Sequence, residues 1–340
     1  MINQVYRLVS PGMIDVACTE PDLTKSVLLR PLYMSICKAD QRYYLGNRSK
    51  EALKAKLPMA LIHECVCKVI YDPTGHFEKG ELVVPVPNTP TEDDDVIAEN
   101  YRLTSHFCSS GWDGFLRDYV DIDYGRLVRV PEGLNLHVAA FTELISVAVH
   151  AVSRFEKFSH SRKNSIGVWG DGNVGFITAL ILRACYPNTK LCIFGTVMEK
   201  LNYFAFADET YHVDHIPEGL KVDHAFECVG GEASKYAINQ MIDHINPEGS
   251  IGLMGVSEIP IAINTRMVLE RGLNLFGSSR SGVADFEKTM EILNKNPDIP
   301  AYLENLVGDV VEIHSIPDIH KAFASDISRS FGKTILKWEK

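Results

Sequence analysis

The chain has 340 residues, of which 46% are hydrophobic, and it carries a formal net charge of −10. This length is long for one hydrophobic core, so we expect two domains, and the negative charge argues against nucleic acid or an anionic membrane as a partner, because both bind basic surfaces. The first residues lack the basic start and apolar core of a signal peptide, and no apolar stretch is long enough to span a bilayer. The eight cysteines lie mostly within apolar segments, as reduced thiols do. We therefore expect a soluble, cytoplasmic protein.

Residues 1–145 predict a mainly β domain. Short β-like segments, punctuated by Gly and Pro and with little helical periodicity, include "SVLLRPLYM", "CVCKVIY" and "ELVVPVP". The acidic run "TEDDD" at residues 91–95 fits no calcium loop, so we expect a solvated loop there.

Residues 146–280 predict a parallel sheet covered by helices on both faces. Apolar strands alternate there with helical stretches, and these strands are "SIGVWG", "KLCIFG", "ETYHV", "HAFECVG", "GSIGLMG" and "LNLFGSS". The segment 281–340 begins with the amphipathic helix "DFEKTMEILNKN" and ends in the strand "GKTILKWEK". It is too short to fold alone, so we expect it to rejoin one of the domains.

A glycine-rich loop follows the first of these strands and precedes a helical stretch. It reads Gly170, Asp171, Gly172, Asn173, Val174, Gly175, and strand, loop and helix in this order are typical of a dinucleotide site. The first glycine permits the tight turn, the second lets the backbone approach a pyrophosphate, and the third lets helix and strand pack closely. The phosphates would then lie at the positive end of the helix.

The acid that usually ends the second strand, about 20 residues further on, is absent. The residue there is Gly195, which leaves room for a 2′-phosphate, while the Thr196 hydroxyl can donate to it and Lys200 supplies positive charge. This pattern favours NADP(H), although Glu199 beside the proposed pocket is compatible with a free ribose. We also expect Gly230, after a later strand, to contact the cofactor.

Four residues of the first domain and the junction could hold a catalytic zinc ion. They are Cys37, His63, Glu64 and Glu143, which together offer the S, N and O ligands that zinc accepts. Each also has a plainer interpretation, because the cysteine could be a small buried side chain and the polar residues could be satisfied by neighbours.

A rival ligand set consists of His63, Cys65 and Cys67, which fall on one face if this stretch is a strand. Three ligands on one straight strand do not readily surround one ion tetrahedrally. We therefore expect the two cysteines to be buried core residues.

These motifs, in this order and over essentially the whole chain, resemble the zinc-dependent medium-chain dehydrogenase/reductase family. The resemblance implies a GroES-like β-rich catalytic domain (1–145), a Rossmann NADP-binding domain (146–280) and a C-terminal segment that returns to the catalytic domain (281–340). It identifies Cys37, His63, Glu64 and Glu143 as the metal ligands, as in the polyol dehydrogenase branch, with Asp40 orienting a ligand.

Longer stretches, such as "RPLYMSICKADQRYY", "VPNTPTEDDDVIAENY" and "FGSSRSG", resemble a branch that reduces a pentulose phosphate. This resemblance implies NADPH-dependent reduction of D-ribulose 5-phosphate to D-ribitol 5-phosphate, which supplies CDP-ribitol for teichoic-acid or capsule polymers. The implied partners are the sugar phosphate and further copies of the chain, in a dimer or tetramer. The resemblance also implies a functional link to a ribitol-5-phosphate cytidylyltransferase.

The chain departs from the wider family at several positions. Ile62 replaces a glycine before the histidine, and Ala39 replaces the hydroxyl residue of the usual proton relay. The four cysteines of a structural zinc site are absent, so we expect one zinc ion per chain.

The substrate phosphate needs local cations, for which the candidates are Lys38, Arg42 and Arg280; each could equally be an ordinary surface cation. Two other functions stay open. One is a zinc-dependent NADP(H) dehydrogenase of an unphosphorylated polyol, and the other is a catalytically inactive nucleotide-binding protein with a structural or regulatory role.

Overall fold

The computed structural model describes all 340 residues, which fold as two compact units. The β-rich unit comprises residues 1–146 and 281–340, and the parallel-sheet unit comprises residues 147–280. None of the helices combines the length and the apolar character that crossing a bilayer requires.

The first part of the β-rich unit consists of short strands and a few helices. The strands are β1 (Asn3–Ser10), β2 (Met13–Thr19), β3 (Val27–Ser35), β4 (Met59–Ala60), β5 (Glu64–Tyr71), β6 (Leu82–Pro85), β7 (Asn88–Thr89), β8 (His106–Phe107), β9 (Val120–Ile122) and β10 (Leu127–Arg129). The helices are α1 (Lys38–Tyr44), α2 (Lys50–Lys56), α3 (Leu136–Ala139) and α4 (Thr142–Phe158), and the last of these contains the boundary between the units.

The parallel-sheet unit alternates strands with helices. Its strands are β11 (Ser165–Trp169), β12 (Lys190–Gly195), β13 (Glu209–His212), β14 (His224–Glu227), β15 (Ser250–Leu253) and β16 (Asn274–Gly277), and its helices are α5 (Asn173–Cys185), α6 (Met198–Leu201), α7 (Ser234–His244) and α8 (Thr265–Glu270). The strands pair in the order β13-β12-β11-β14-β15-β16, all parallel. This is the strand order of a Rossmann sheet, whose ligands bind beyond the carboxyl ends of the strands.

The chain then returns to the β-rich unit. It forms α9 (Val283–Lys295), α10 (Asp298–Leu303), β17 (Val307–Ile313), α11 (Ile316–Ser328) and β18 (Lys333–Trp338). Strand β18 pairs antiparallel with β3 and parallel with β17, which completes a sheet of order β10-β6-β5-β3-β18-β17 with β9 also paired to β3. A second sheet has the order β2-β1-β4, and β7 pairs with β8.

Two predictions about the β-rich unit, one for its paired cysteines and one for its acidic loop, agree with the structure. Cys65 and Cys67 are buried on β5, with their Sγ atoms 3.3 Å apart, and belong to the hydrophobic core. The acidic residues 91–95 are exposed. The predicted α/β fold class, with a β-rich domain beside a doubly wound parallel sheet, is confirmed.

Candidate active site

Local structure in the β-rich unit brings the predicted ligands together. Cys37 is the residue before α1, His63 lies between β4 and β5, and Glu64 is the first residue of β5. Each offers a ligand atom, and these atoms lie within 4.8 Å of one another. Glu143, in the first turn of α4, joins them because its Oε2 is 3.8 Å from His63 Nε2.

Asp40 lies beside the histidine. The carboxylate is fully buried, and its Oδ1 lies 3.6 Å from His63 Nδ1. It also accepts hydrogen bonds from the Ser109 hydroxyl (2.6 Å), the Ile62 amide (3.0 Å) and the Cys37 amide (3.1 Å). Although burial disfavours the charged form, the His63 ring and the donors Ser109 and Ile62 hold the pKa of Asp40 below its ordinary value. The ring is thereby fixed with Nε2 toward the other ligands, the usual arrangement around a metal-bound histidine.

Lys333, at the start of β18, is a site residue that sequence reasoning missed. Its Nζ lies 2.8 Å from Oε1 and 2.7 Å from Oε2 of Glu64, and both side chains are buried. The only sequence signal was a lysine at the edge of an apolar strand. Glu64 therefore has a cationic partner within the chain, whereas Glu143 does not contact Lys333 within salt-bridge distance.

The donor set fits a zinc ion. Burial raises the pKa of Glu143 to about 7, and the charge of nearby Glu64 pushes that pKa in the same direction, against the opposing effect of His63. A thiol, an imidazole and two carboxyl groups are thus gathered in one place, where all but the half-buried Cys37 are shielded from water. These are the S, N and O donors that a zinc ion accepts.

The glycine loop of the parallel-sheet unit has the shape of a phosphate cradle. Gly170 has φ +132°, and a Cβ on Gly175 would lie 2.0 Å from the Gly170 carbonyl oxygen, so both positions require glycine. A Cβ on Gly172 would meet nothing within 4 Å, so the space before α5 is open. Asn173 and Val174 form the first turn of that helix and are half-buried.

The end of β12 is organised by Asp171, which sequence reasoning did not assign. Its Oδ2 accepts hydrogen bonds from the amides of Thr196 (2.6 Å) and Val197 (2.8 Å) and from the Thr196 hydroxyl (3.3 Å). A Cβ on Gly195 would lie 2.7 Å from the Asp171 Cβ. The space that a strand-end acid would occupy is therefore filled by an acid from the glycine loop.

The remaining residues predicted to bind the cofactor or the substrate phosphate lie in different parts of the two units. Lys200 is half-buried in α6, and Gly230 has φ +73° and packs against the backbone of Val256. Lys38, whose Nζ is 3.2 Å from Gln41 Oε1, and Arg42 lie on α1 beside Cys37, whereas Arg280 belongs to the parallel-sheet unit.

Comparisons with known proteins give consistent matches over the whole chain. Residues 24–132 match the family model of the alcohol dehydrogenase GroES-like domain, and residues 188–295 match that of zinc-binding dehydrogenases. Ribulose-5-phosphate reductase 1 of Staphylococcus aureus is 54% identical, with 99% of each chain covered, and ribulose-5-phosphate reductase of Bacillus spizizenii is 53% identical, with 100% of each covered. The crystal structure of S. aureus TarJ in complex with NADPH matches with a TM-score of 0.90, at 49% identity and full coverage of both chains.

Proposed function

Because the chain belongs to the zinc-dependent medium-chain dehydrogenase/reductase family, among the ribulose-5-phosphate reductases, we propose that it reduces D-ribulose 5-phosphate to D-ribitol 5-phosphate with NADPH. The observation that carries the proposal is identity above one half to ribulose-5-phosphate reductases over their full length. The reaction is reversible, because a ketone and a secondary alcohol interconvert by hydride transfer.

The residues that hold the metal are Cys37, His63 and Glu143, with Glu64 next to them. A zinc ion held there would supply a Lewis acid for the C2 carbonyl, and NADPH would supply the hydride. Asp40 fixes the tautomer of His63 through Nδ1. Lys333 holds Glu64 turned toward β18, so Glu64 is the ligand that gives way most readily to substrate.

Proton delivery cannot use the usual hydroxyl relay, since residue 39 is alanine. Glu64 is ion-paired with Lys333, which donates a hydrogen bond to its Oε1, so this carboxylate is poorly suited to act as the acid. A water molecule or a substrate hydroxyl group is then the proton source.

The glycine loop, with Gly170, Gly172 and Gly175, binds the pyrophosphate of NADPH at the N-terminus of α5. We assign the 2′-phosphate to Thr196, whose hydroxyl also contacts Asp171, and to Lys200, and the rest of the cofactor site to Asn173, Val174 and Gly230. NADPH is the cofactor bound by S. aureus TarJ, which supports this assignment.

The product is an alditol phosphate, which a cytidylyltransferase consumes to form CDP-ribitol for teichoic-acid or capsule polymers. The enzyme works in the cytoplasm, where its substrate and NADPH are present, as a dimer or tetramer with one zinc ion per chain.

The proposal is tested by following NADPH oxidation with D-ribulose 5-phosphate and with D-ribulose, and by repeating both assays with NADH. We expect rapid turnover only with the phosphorylated ketose and NADPH. Equal turnover of ribulose would favour a dehydrogenase of unphosphorylated polyols. No turnover by zinc-loaded protein would contradict the proposed activity and favour a nucleotide-binding protein without catalysis.

A further inference from the structure

Two cationic side chains of the β-rich unit converge on one buried aromatic ring. Arg48, between α1 and α2, has its guanidinium carbon 5.0 Å from the centroid of the Tyr43 ring, and Lys56, at the end of α2, has its ammonium 5.8 Å from the same centroid. Tyr43 is only 2% exposed. The ring therefore fixes the place of both cations, since an aromatic face attracts positive charge.

Lys56 makes one further polar contact, with a hydroxyl group. Its Nζ lies 2.8 Å from Ser110 Oγ, and its contacts comprise this hydroxyl and the Tyr43 ring but no carboxylate. The chain as a whole has 44 acidic against 34 basic side chains, so a half-buried lysine without an acidic partner stands out. An ammonium and a hydroxyl held at this distance can both donate to one phosphate group.

This cation cluster, defined here as Arg48, Lys56 and Ser110, is connected to the metal ligands. Ser109, the residue before Ser110, donates its hydroxyl to Asp40 at 2.6 Å, and Asp40 lies 3.6 Å from His63. Tyr43 follows Asp40 by three residues on α1, so the two side chains share a helix face. The cluster and the metal ligands thus lie in the same unit, linked by two polar contacts.

We propose that the cation cluster binds the 5-phosphate of the substrate, an inference that rests on the proposed function. The phosphate of ribulose 5-phosphate is attached three carbons away from the C2 carbonyl, so its binding groups must be near the metal ligands but separate from them. Lys56 and Ser110 donate to the phosphate, and Arg48 adds a second positive charge. By contrast, Lys38 is exposed and its ammonium already contacts Gln41.

The test compares Lys56→Met and Arg48→Met with wild type. For each protein, kcat/KM is measured with ribulose 5-phosphate and with ribulose, and the affinity for inorganic phosphate is measured by titration calorimetry. We expect Lys56→Met to lower the ratio of the two kcat/KM values about 10- to 100-fold, as loss of a charge-assisted hydrogen bond does, and to weaken phosphate binding by a similar factor. Arg48→Met should change both quantities in the same direction.

The matched control is Lys54→Met, because Lys54 is an exposed lysine of the same helix and has no contact with Tyr43. Unchanged phosphate affinity and an unchanged ratio in both test variants would overturn the inference, and so would an equal loss with both ketoses. Failure of wild type to reduce ribulose 5-phosphate would contradict the proposed function instead. The phosphate titration needs no turnover and would still decide whether the cluster binds phosphate.

Discussion

Lys333 shows how one residue sets the charge of the site. It lies 269 positions after Glu64 in the chain, yet its ammonium contacts both oxygens of that carboxylate. A buried carboxylate without a partner is strongly destabilising, so Lys333 is the partner that lets Glu64 be buried beside Cys37 and His63. No local pattern in the sequence could reveal this contact, because it depends on the pairing of β18 with β3 beside β5.

Ile62 adopts a backbone conformation that is unusual for its side chain. Its φ is +72°, in the left-handed region that β-branched residues rarely enter, and it is completely buried. Its amide donates to Asp40 at 3.0 Å, and its carbonyl accepts from the Phe115 amide at 2.7 Å. These two hydrogen bonds hold the backbone just before His63, at a cost of about 1–3 kcal/mol in local strain.

This strain predicts a reversed order of stability for two variants. Glycine normally destabilises a regular segment by about 0.5–1 kcal/mol relative to alanine. At position 62 we expect Ile62→Gly to be at least as stable as Ile62→Ala, because glycine enters the left-handed region without penalty, and this gain offsets the one buried methyl group that alanine retains. Urea unfolding of the two proteins measures the difference. An Ile62→Gly variant about 1 kcal/mol less stable than Ile62→Ala would show that the backbone is not strained.

At the scale of elements, the glycine loop and the end of β12 act together. The sequence predicted the loop and the absence of an acid at Gly195, because both follow a local spacing. It did not predict that Asp171 would lie against Gly195 and accept hydrogen bonds from Thr196 and Val197, since that contact joins residues 25 and 26 positions apart.

This arrangement predicts that a single acid at position 195 does not create an NADH site. In Gly195→Asp the new Cβ would collide with Asp171, and two carboxylates would be forced together, so we expect weaker NADPH binding and no gain in NADH binding. Adding Asp171→Gly removes both contacts with Asp171 and leaves only the flexible end of Leu201 against the new Cβ, so the double variant should bind NADH more tightly than wild type does. Fluorescence titration with both cofactors measures these affinities. A gain in NADH affinity from Gly195→Asp alone would contradict the role given to Asp171.

Other elements were predictable to different degrees. Strands with continuous apolar residues were found in the sequence, as "SVLLRPLYM" matches β3 and "GKTILKWEK" contains β18. Helix α9 begins at Val283, two residues before the predicted start at Asp285, and Gly282 is the residue that caps it. Helix α11 was not predicted, although its buried residues Ile319, Ala322, Phe323 and Asp326 have the i, i+3, i+4, i+7 spacing of one helix face.

At the scale of the whole molecule, the two sets of reactive groups belong to different units. The metal ligands lie in the β-rich unit and the glycine loop in the parallel-sheet unit, so neither unit alone contains the groups that the reaction needs. The motifs that identify each set are short and local, which is why the sequence predicted them. The groups that set charge and position around them, such as Lys333, Asp171 and the cation cluster, depend on tertiary contacts and were found only in the fold.

The whole molecule is acidic, with a net charge of −10, although its proposed substrate and cofactor are both anionic. Long-range attraction cannot then draw these ligands in, so binding must depend on local donors. We propose that these donors are the N-terminus of α5 for the cofactor and the cation cluster for the sugar phosphate.

We propose that reduction of ribulose 5-phosphate depends on a zinc ion held by Cys37, His63 and Glu143, and removal of the metal tests this dependence. The enzyme is stripped with a chelator and titrated with Zn²⁺ while metal content and NADPH oxidation with ribulose 5-phosphate are recorded together. We predict that activity disappears with the metal and returns in proportion to zinc, with full activity at one ion per chain. Full activity of the stripped protein, or no recovery after zinc is rebound, would contradict the account.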